Sequence, residues 1–278
     1  MEMEKLRLVS WNTAKRLNKV SLQADFMRQI CPDIIALQEI IPSTEGAFRR
    51  NLSEDYPFII SSFELAPDLS ILNKKRMFGQ LIASKYKLRA LPPKNFNVPW
   101  TERILSVSIA LQDKKFDLHT THIPPGSSNG WVKIEMITGI VEYFKNQHQH
   151  PQILCGDFNT PQFENVPNGI VTFGQRVKTS GEVVMKGKFR GGLGIHWDNG
   201  ERSLFDRLNQ YGLVDVFRMM HPNALDAYSW EFKRGEKVFR TRFDHFFGDK
   251  RLTISNCKYL NRQGNLSDHS PIVADFNL

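Results

Sequence analysis

The sequence predicts an α/β protein in which strands outnumber helices. Residues 104–111 alternate between large apolar and small side chains, which is the period-two pattern of a half-buried strand. Residues 33–38 and 152–155 are short, nearly continuous apolar runs that favour buried strands. Residues 130–145 instead repeat apolar side chains at helical spacing. Strands interrupted by helices along one chain predict the α/β class.

The remaining elements have local signals in chain order. Residues 6–12 mix alternation with apolar content and predict a strand, and residues 21–30 predict a helix that a Cys-Pro-Asp step ends. A helix over residues 203–211 stops at Gly212. Further strands are predicted over residues 80–84 and 116–121 and near Tyr228, Phe243, Thr253 and Ile272.

Residues 159–200 are rich in Gly, Pro and Asn, and they predict a long functional loop rather than a linker. The candidate site residues described below span Asn12 to His269. We therefore expect residues 1–278 to form a single domain.

Composition restricts the class of protein. The 278 residues are 41% hydrophobic and 24% charged, as in a soluble globular protein with a sizeable core. No apolar run approaches the roughly 18 residues that span a bilayer, so no transmembrane segment is expected. Three scattered cysteines suit neither a disulfide framework nor a zinc site, and Cys31 and Cys155 are expected in the core. These features predict a cytoplasmic protein.

Charge indicates the partner. Lys and Arg number 37 against 29 Asp and Glu, a net charge of +8, and basic residues cluster within residues 74–76, 85–89, 186–190 and 233–242. An acidic site repels a polyanion, so a polyanionic substrate would require basic flanks. The alternative is a solvated basic surface without a specific role. Together with the acidic motifs below, the charge favours nucleic acid, and no obligate protein partner is indicated.

Five polar breaks in apolar runs carry the chemistry. In each, strand-like residues lead to or border a carboxylate, an amide or an imidazole. The breaks are Trp11-Asn12, Leu37-Gln38-Glu39, Gly156-Asp157-Phe158-Asn159, Phe243-Asp244-His245 and Ser267-Asp268-His269-Ser270-Pro271. Such groups, presented by strand ends to one place, make a metal-assisted hydrolytic site.

The five motifs, in this order, resemble the motif set of the endonuclease/exonuclease/phosphatase superfamily. Its members include exonuclease III, the AP endonucleases, DNase I, sphingomyelinases and inositol-polyphosphate phosphatases. Each motif alone is weak, but the ordered set spans nearly the whole chain and is highly specific. The resemblance implies a four-layer α/β sandwich: two mainly antiparallel sheets packed face to face, with helices outside and the site at one edge.

The resemblance and the chemistry of phosphodiester cleavage suggest the same metal ligands. Glu39 is expected to bind Mg²⁺ or Mn²⁺, because a hard cation takes one or two carboxylates and keeps several waters. Asn12 and Asp268 are expected to complete or orient this metal shell.

The remaining groups are expected to act on water and phosphate. Asp157 and Asn159, two apart in an extended segment, would both face the site, one polarising water and the other bonding the phosphate. His269 is expected as general base or as donor to a phosphate oxygen, and the family pattern implies Asp244 as its orienting acid. The role of base stays open between Asp157 and His269.

His122 distinguishes subfamilies. It stands where exonuclease III and the AP endonucleases carry a tyrosine and where DNase I carries a histidine, read as general acid to the leaving oxygen. The step Thr101-Glu102-Arg103 resembles one that partners this histidine in DNase I. The resemblance thus implies that Glu102 orients His122 and that Arg103 contacts substrate; an ion pair at the strand edge is the alternative for Glu102.

The last third of the chain looks much like exonuclease III and the AP endonucleases. Trp230, in Tyr228-Ser229-Trp230, falls near an aromatic that lines the abasic pocket of those enzymes, which implies contact with substrate; core packing is the alternative. Thr241 replaces a second pocket aromatic, and Ala14 replaces an acidic residue of the metal shell. Strict specificity for abasic sites is therefore not expected.

The sequence as a whole predicts a metal-dependent phosphodiesterase acting on nucleic acid, in particular a DNA endonuclease or exonuclease. One alternative is a phosphatase or lipid phosphodiesterase for a small phosphorylated substrate. A second is a non-catalytic nucleic-acid-binding protein that kept the fold, which the intact Glu39, Asp157 and His269 argue against.

Overall fold

Two six-stranded β-sheets form the centre of the computed structural model, which describes residues 5–65, 70, 72–73, 75–111, 113–164 and 169–277. Lys74, part of one predicted basic cluster, lies outside the described residues. The strands are, in chain order, β1 (Lys5–Asn12), β2 (Ile34–Ile40), β3 (Phe58–Ser61), β4 (Gly79–Ser84), β5 (Leu88–Ala90), β6 (Ile104–Leu111), β7 (Lys114–His122), β8 (Gln152–Asp157), β9 (Phe163–Glu164), β10 (Ile170–Val171), β11 (Gln175–Val177), β12 (Val183–Met185), β13 (Lys188–Phe189), β14 (Gly192–Leu193), β15 (Leu213–Asp215), β16 (Trp230–Arg234), β17 (Lys237–Thr241), β18 (Asp244–Asp249), β19 (Thr253–Tyr259) and β20 (Ile272–Asn277).

Each large sheet is mainly antiparallel and contains one parallel pair near its centre. The first has the order β19-β20-β1-β2-β4-β3, in which β1 and β2 are parallel. The second has the order β15-β18-β8-β7-β6-β5, in which β7 and β8 are parallel. The remaining strands of both sheets run antiparallel to their neighbours.

Helices cover the outer faces of both sheets. They are α1 (Val20–Ile30), α2 (Pro42–Leu52), α3 (Ser62–Leu65), α4 (Gly126–Asn129), α5 (Val132–Phe144), α6 (Gly194–Gln210) and α7 (Val216–Met220). Among the described residues, no helix is both long and apolar enough to cross a bilayer.

Three apolar cores hold these layers together. The alternating side chains of β6, from Leu105 to Leu111, lie in the core between the two sheets with Leu8 of β1. A second core packs α1 and α2 on the first sheet, and a third packs α5 and α6 on the second sheet. Because each sheet buries both faces, the predicted four-layer sandwich with helices outside is confirmed.

Three local predictions were wrong. The helix predicted over residues 203–211 begins at Gly194, so it includes the end of the segment that was predicted as loop. The rest of that segment forms short strands, β9 to β14, rather than irregular chain alone. Cys31 is exposed and ends α1 in a left-handed conformation, with φ of 51°, whereas Cys155 is buried as expected.

Candidate active site

The ends of the two parallel strand pairs meet at one edge of the sandwich. Asn12 ends β1, Glu39 stands next to the last residue of β2, and His122 and Asp157 end β7 and β8. Parallel neighbours point in the same direction, so their carboxyl ends share an edge. Asp244 begins the antiparallel strand β18 at this edge, and the register sets it opposite Asp157, which in turn lies opposite His122.

A glycine just before Asp157 allows β8 to lie close to β7 at the edge of the sheet. Gly156 has φ of 135°, and a Cβ there would lie 1.9 Å from the backbone oxygen of Thr121 on β7. No other residue type fits so close an approach without moving the strand. The glycine of the Gly-Asp-Phe-Asn motif is therefore a packing requirement of the sheet edge.

Asp157 lies at the centre of the site and is fully buried. Its Oδ1 accepts the backbone N–H of Asn159 at 2.9 Å, and its Oδ2 accepts Nδ2 of Asn12 at 2.9 Å. The Nε2 atoms of His122 and His269 lie 3.8 and 3.7 Å from the same Oδ2. Burial raises the pKa of the Asp157 carboxyl to about 7, well above its ordinary value.

Asn12 links two carboxylates through its amide nitrogen. Its Nδ2 donates to Asp157 and, at 3.3 Å, to Oε1 of Glu39, while its Oδ1 accepts the backbone N–H of Ala14 at 2.9 Å. An amide whose nitrogen faces the acids orients them. Of the two roles expected for Asn12, this geometry favours orienting the metal shell.

Two of the polar residues have strained backbones. Glu39 and Asn159 have φ of 55° and 51°, a left-handed conformation that is uncommon outside glycine. Asn159 is held there by a bond from its Nδ2 to the backbone oxygen of Ile123, at 2.9 Å. Such strain is typical of functional sites, where the surrounding structure fixes a side chain in place.

His269 is paired with an acid, as expected. Its Nδ1 donates to Oδ2 of Asp244 at 2.7 Å, and its backbone oxygen accepts Nε1 of Trp11 at 2.9 Å. Burial acts to lower the pKa of His269, but the carboxylates of Asp244 and Asp157 outweigh it and raise the pKa to about 10. This imidazole is therefore positively charged at neutral pH.

His122 has an arginine where His269 has an acid. Nη1 of Arg103 donates to Nδ1 of His122 at 2.6 Å, which leaves the proton of the neutral ring on Nε2, facing Glu39 and Asp157. Burial lowers the pKa of His122 well below its ordinary value, and the charge of Arg103 lowers it further. The neutral ring carries one N–H, on Nε2, and the role of His122 as general acid stays a prediction.

The step Glu102-Arg103 is arranged differently from the prediction. Glu102 is fully buried, and its two oxygens accept bonds from Nε and Nη2 of Arg76 at 2.8 and 2.7 Å; none joins it to His122. Arg103 lies behind His122, with Nη2 bonded to the backbone oxygen of Lys75, so it orients the histidine rather than reaching substrate. The 3₁₀ turn at residues 101–103 buries both side chains, and Arg103 is the one that bonds His122.

The remaining predicted residues line one cavity of about 370 Å³ at this edge. Glu39 and Asp268 both line it, so the two expected carboxylate ligands open onto the same space. Trp230 lines it too and forms an isolated β-bridge with His269. His245, next to Asp244, instead bonds the backbone oxygen of Thr160 and has a structural role, as its strand position predicts.

Part of the cavity wall was not predicted. Lys133 on α5 is buried and bonds the backbone oxygen of Asn159 at 2.7 Å as well as the carboxylate of Glu201. Nε1 of Trp197 donates to the same carboxylate at 2.9 Å. The other wall residues that were not predicted as site residues are Pro125, Gly126, Ser127, Phe173, Arg190 and Phe243. The spacing of Trp197, Glu201, Leu204 and Leu208 along α6 is a helical signal that could have found Trp197.

The acidic edge fits a hard divalent cation. The carboxylates of Glu39, Asp157 and Asp268 line the same cavity. Oδ1 of Asp244 is buried and, within the described residues, accepts no hydrogen bond. Carboxylate oxygens are the donors that Mg²⁺ and Mn²⁺ prefer. The residues present therefore suit such an ion better than a soft metal.

The basic clusters differ in their surroundings. Arg242 is fully buried between Asp215 and Glu164, so it holds the fold together. Arg190, at the tip of the β13–β14 ribbon, instead lines the cavity. Lys233 and Lys237 are exposed on the β16–β17 hairpin.

Comparisons with solved structures agree with this architecture. An AP endonuclease from Archaeoglobus fulgidus gives a TM-score of 0.68 at 18% identity, covering 98% of this chain and 100% of that one. TDP2 from D. rerio, complexed with single strand DNA product, gives a TM-score of 0.65 at 15% identity, covering 99% of this chain and 100% of that one.

Sequence comparisons identify the family. Exodeoxyribonuclease III of Haemophilus influenzae is 24% identical over 265 residues, which cover 88% of this chain and 90% of that protein. The model of the Endonuclease/Exonuclease/phosphatase family matches residues 9–269, which include every motif that forms the cavity edge. The chain therefore belongs to the Endonuclease/Exonuclease/phosphatase family.

Proposed function

We propose that the chain is a divalent-metal-dependent phosphodiesterase that hydrolyses nucleic acid, with DNA as the expected substrate. The observation that carries the proposal is the buried Asp157 carboxylate between two imidazole Nε2 atoms, at 3.8 and 3.7 Å. Phosphodiester hydrolysis needs an acceptor for the proton of water and donors for the phosphate oxygens. A carboxylate between two N–H donors supplies both.

The charge states favour Asp157 as the base. The pKa of about 7 lets the Asp157 carboxylate accept a proton near neutral pH. His269, with a pKa raised to about 10, already holds its proton and is suited to donate a hydrogen bond to a phosphate oxygen. His122 is suited to donate a neutral hydrogen bond from the opposite side, toward a phosphate or leaving oxygen.

A metal ion would be held by the carboxylates of the same edge. Glu39 and Asp268 are the proposed ligands, and Asn12 orients Glu39. Burial raises the pKa of Glu39, a shift that a bound cation would oppose by favouring the ionised carboxylate. Bound Mg²⁺ or Mn²⁺ would neutralise charge on the phosphate oxygens.

Nucleic acid is supported as the substrate class by charge and by relatives. The net charge of +8 offsets the repulsion between the acidic edge and a polyanion. Exodeoxyribonuclease III is the name of the curated relative, and the TDP2 structure contains single strand DNA product. We also propose that the chain is one domain, because side chains from both sheets line the same cavity.

A substrate panel tests the proposal. Purified protein with Mg²⁺ is incubated with plasmid, single-stranded DNA, abasic duplex, RNA, inositol phosphates and sphingomyelin. We expect hydrolysis of DNA, and loss of at least about 10²-fold in Glu39→Gln, because the substitution removes a charged ligand. Glu135→Gln, on the first turn of α5 and outside the cavity, is the matched control. Hydrolysis of only the small esters would contradict nucleic acid as the substrate class. No hydrolysis of any substrate would contradict the proposal that the protein is an enzyme.

A further inference from the structure

The β16–β17 hairpin begins at the edge of the catalytic cavity. Trp230 at its base lines the cavity and bridges to His269. The backbone N–H of Ser229, just before β16, bonds the oxygen of Thr241 at 3.0 Å, and Oγ1 of Thr241 bonds the oxygen of Pro161 at 3.1 Å. The base of the hairpin is thus fixed, while the strands extend away from the cavity.

One face of this hairpin is aromatic. Residues paired across an antiparallel ladder share a face, and this ladder pairs Trp230 with Thr241 and Phe232 with Phe239. The rings of Trp230 and Phe232 are nearly parallel, with an interplanar angle of 5° and centroids 5.7 Å apart. An aromatic row therefore runs from the cavity outward, and we call it the hairpin face.

The outer part of the hairpin face is uncovered. Phe232 and Phe239 are 47% and 50% exposed, although burying a phenylalanine is favourable by about 2 kcal/mol. Among the described residues, the other phenylalanine exposed by more than a third is Phe58, at 37%, on the edge strand β3. Two exposed rings opposite each other on a short hairpin indicate a surface that contacts a partner.

The charges around the hairpin face are mainly positive. Residues 230–241 contain four basic residues, at positions 233, 234, 237 and 240, and two acidic ones, at positions 231 and 236. Lys237 follows the aromatic row toward the turn, and Arg240 on the opposite face pairs with Glu231 at 2.9 Å. The partner is therefore expected to be anionic and to present flat apolar groups.

We propose that the hairpin face binds single-stranded nucleic acid, with unpaired bases stacked on Phe232 and Phe239 and the strand continuing past Trp230 to the catalytic cavity. This inference rests on the proposed function, since the bound strand would be the substrate. Bases in a duplex stack on one another, whereas unpaired bases present faces that aromatic side chains can cover. Lys237, on the same face as the row, suits a phosphate.

An anionic membrane is the competing partner, and the hairpin tip argues against it. A hairpin that enters a bilayer carries its apolar side chains at the tip, where they reach the acyl chains. Here the turn is Gly235-Glu236, flanked by basic positions, and the aromatic pair lies nearer the protein. The row also leads to the catalytic cavity rather than to an open apolar edge.

Binding without divalent ions tests the inference. Fluorescence anisotropy in EDTA measures affinity for an oligothymidylate of about 10 nucleotides, a site size within the known range. The comparison ligands are an oligomer of equal length and charge that lacks bases, a blunt duplex, and vesicles of anionic phospholipid. Phe232→Ala and Phe239→Ala are compared with Phe58→Ala, which removes an exposed ring elsewhere.

We expect the parent to bind the oligothymidylate more tightly than the base-free oligomer. Each hairpin variant should weaken oligothymidylate binding by about tenfold, the usual size for one stacked base, and leave the base-free oligomer and the duplex unchanged. Phe58→Ala should match the parent. Equal parent affinity with and without bases, or unchanged binding in both hairpin variants, would overturn the inference. So would vesicle binding that depends on Phe232 without base-dependent binding of the oligomer.

The test separates the two proposals because binding in EDTA does not require hydrolysis. A parent that binds bases through Phe232 but hydrolyses nothing in the substrate panel refutes the proposed catalysis alone. A parent that hydrolyses DNA but binds oligomers regardless of their bases refutes the hairpin face alone.

Discussion

Two buried histidines approach the same carboxylate but differ in their charge states. Nε2 of His122 and Nε2 of His269 lie 3.8 and 3.7 Å from Oδ2 of Asp157. Behind His269 is the carboxylate of Asp244, at 2.7 Å from Nδ1; behind His122 is the guanidinium of Arg103, at 2.6 Å. One ring is held charged and the other neutral.

The comparison teaches that burial alone does not set the state of an imidazole. Burial lowers the pKa of both rings, and at His122 the charges of Arg103 and His269 lower it further. At His269 two carboxylates reverse it and raise the pKa to about 10. The residue bonded to Nδ1 thus sets the charge of each ring. His269 donates hydrogen bonds as a cation, and His122 donates them as a neutral ring.

Of the substitutions that test this comparison, Asp244→Asn should have the largest effect on activity. It removes the negative charge behind His269, so the pKa of His269 falls and the ring loses its proton near neutral pH. We expect kcat to fall by about 10³-fold, within the range for loss of a catalytic proton donor or acceptor. Steady-state hydrolysis of DNA measures the change.

Asp249→Asn is the control for this substitution. It makes the same chemical change at the opposite end of β18, where the carboxylate pairs with Arg251. Its activity should match the parent. Equal activity of Asp244→Asn and Asp249→Asn would show that hydrolysis does not need the positive charge of His269.

Substitutions of His122 distinguish a neutral donor from an acid. His122→Ala removes the N–H and should lower kcat by at least about 10²-fold. His122→Gln keeps a neutral N–H donor and should recover about tenfold of that loss, since one such bond is worth about 1.4 kcal/mol. If His122→Gln is as inactive as His122→Ala, neutral hydrogen bonding is not what His122 supplies. The rates are compared at pH 7 with folding checked by circular dichroism.

Glu102→Gln should have the smallest effect. Its carboxylate bonds Arg76 and not His122, so kcat should change by less than about tenfold, which is 1.4 kcal/mol of activation free energy. Stability should fall by about 1 kcal/mol, because one charged partner of a bidentate pair is lost while Arg76 keeps partial exposure to solvent. Urea unfolding measures this. A loss of activity as large as that of His122→Ala would restore Glu102 as the orienting acid.

The polar residues at the strand ends could be predicted from the sequence better than the residues that bond to them. An apolar run followed by a polar residue is a local pattern, so Asn12, Glu39 and Asp157 could be found one strand at a time. Their convergence followed from the ordered set of motifs. The partner of His122 depends instead on which of two adjacent buried residues, Glu102 or Arg103, reaches its ring. No periodicity in the sequence encodes that choice.

The segment over residues 159–200 was the least predictable. Its short strands have only two or three residues each, too few for an alternation pattern, and its cavity residues Phe173 and Arg190 lie on turns. The first half of α6 is polar and contains Gly200, which conceals the helix. The carboxylate of Glu201 on α6 bonds both Trp197 and Lys133 of the cavity wall. Its bond to Lys133 joins α6 to α5, two helices that are distant in sequence.

Titration of the two imidazoles by NMR tests the central claim most directly. In metal-free protein, the Cε1 protons of His122 and His269 are assigned from the signals lost in His122→Gln and His269→Gln. We predict that His269 loses its proton at about pH 10 and that His122 stays neutral down to well below pH 6.5. Two rings that titrate together near pH 6.5, or His122 titrating above His269, would contradict the account.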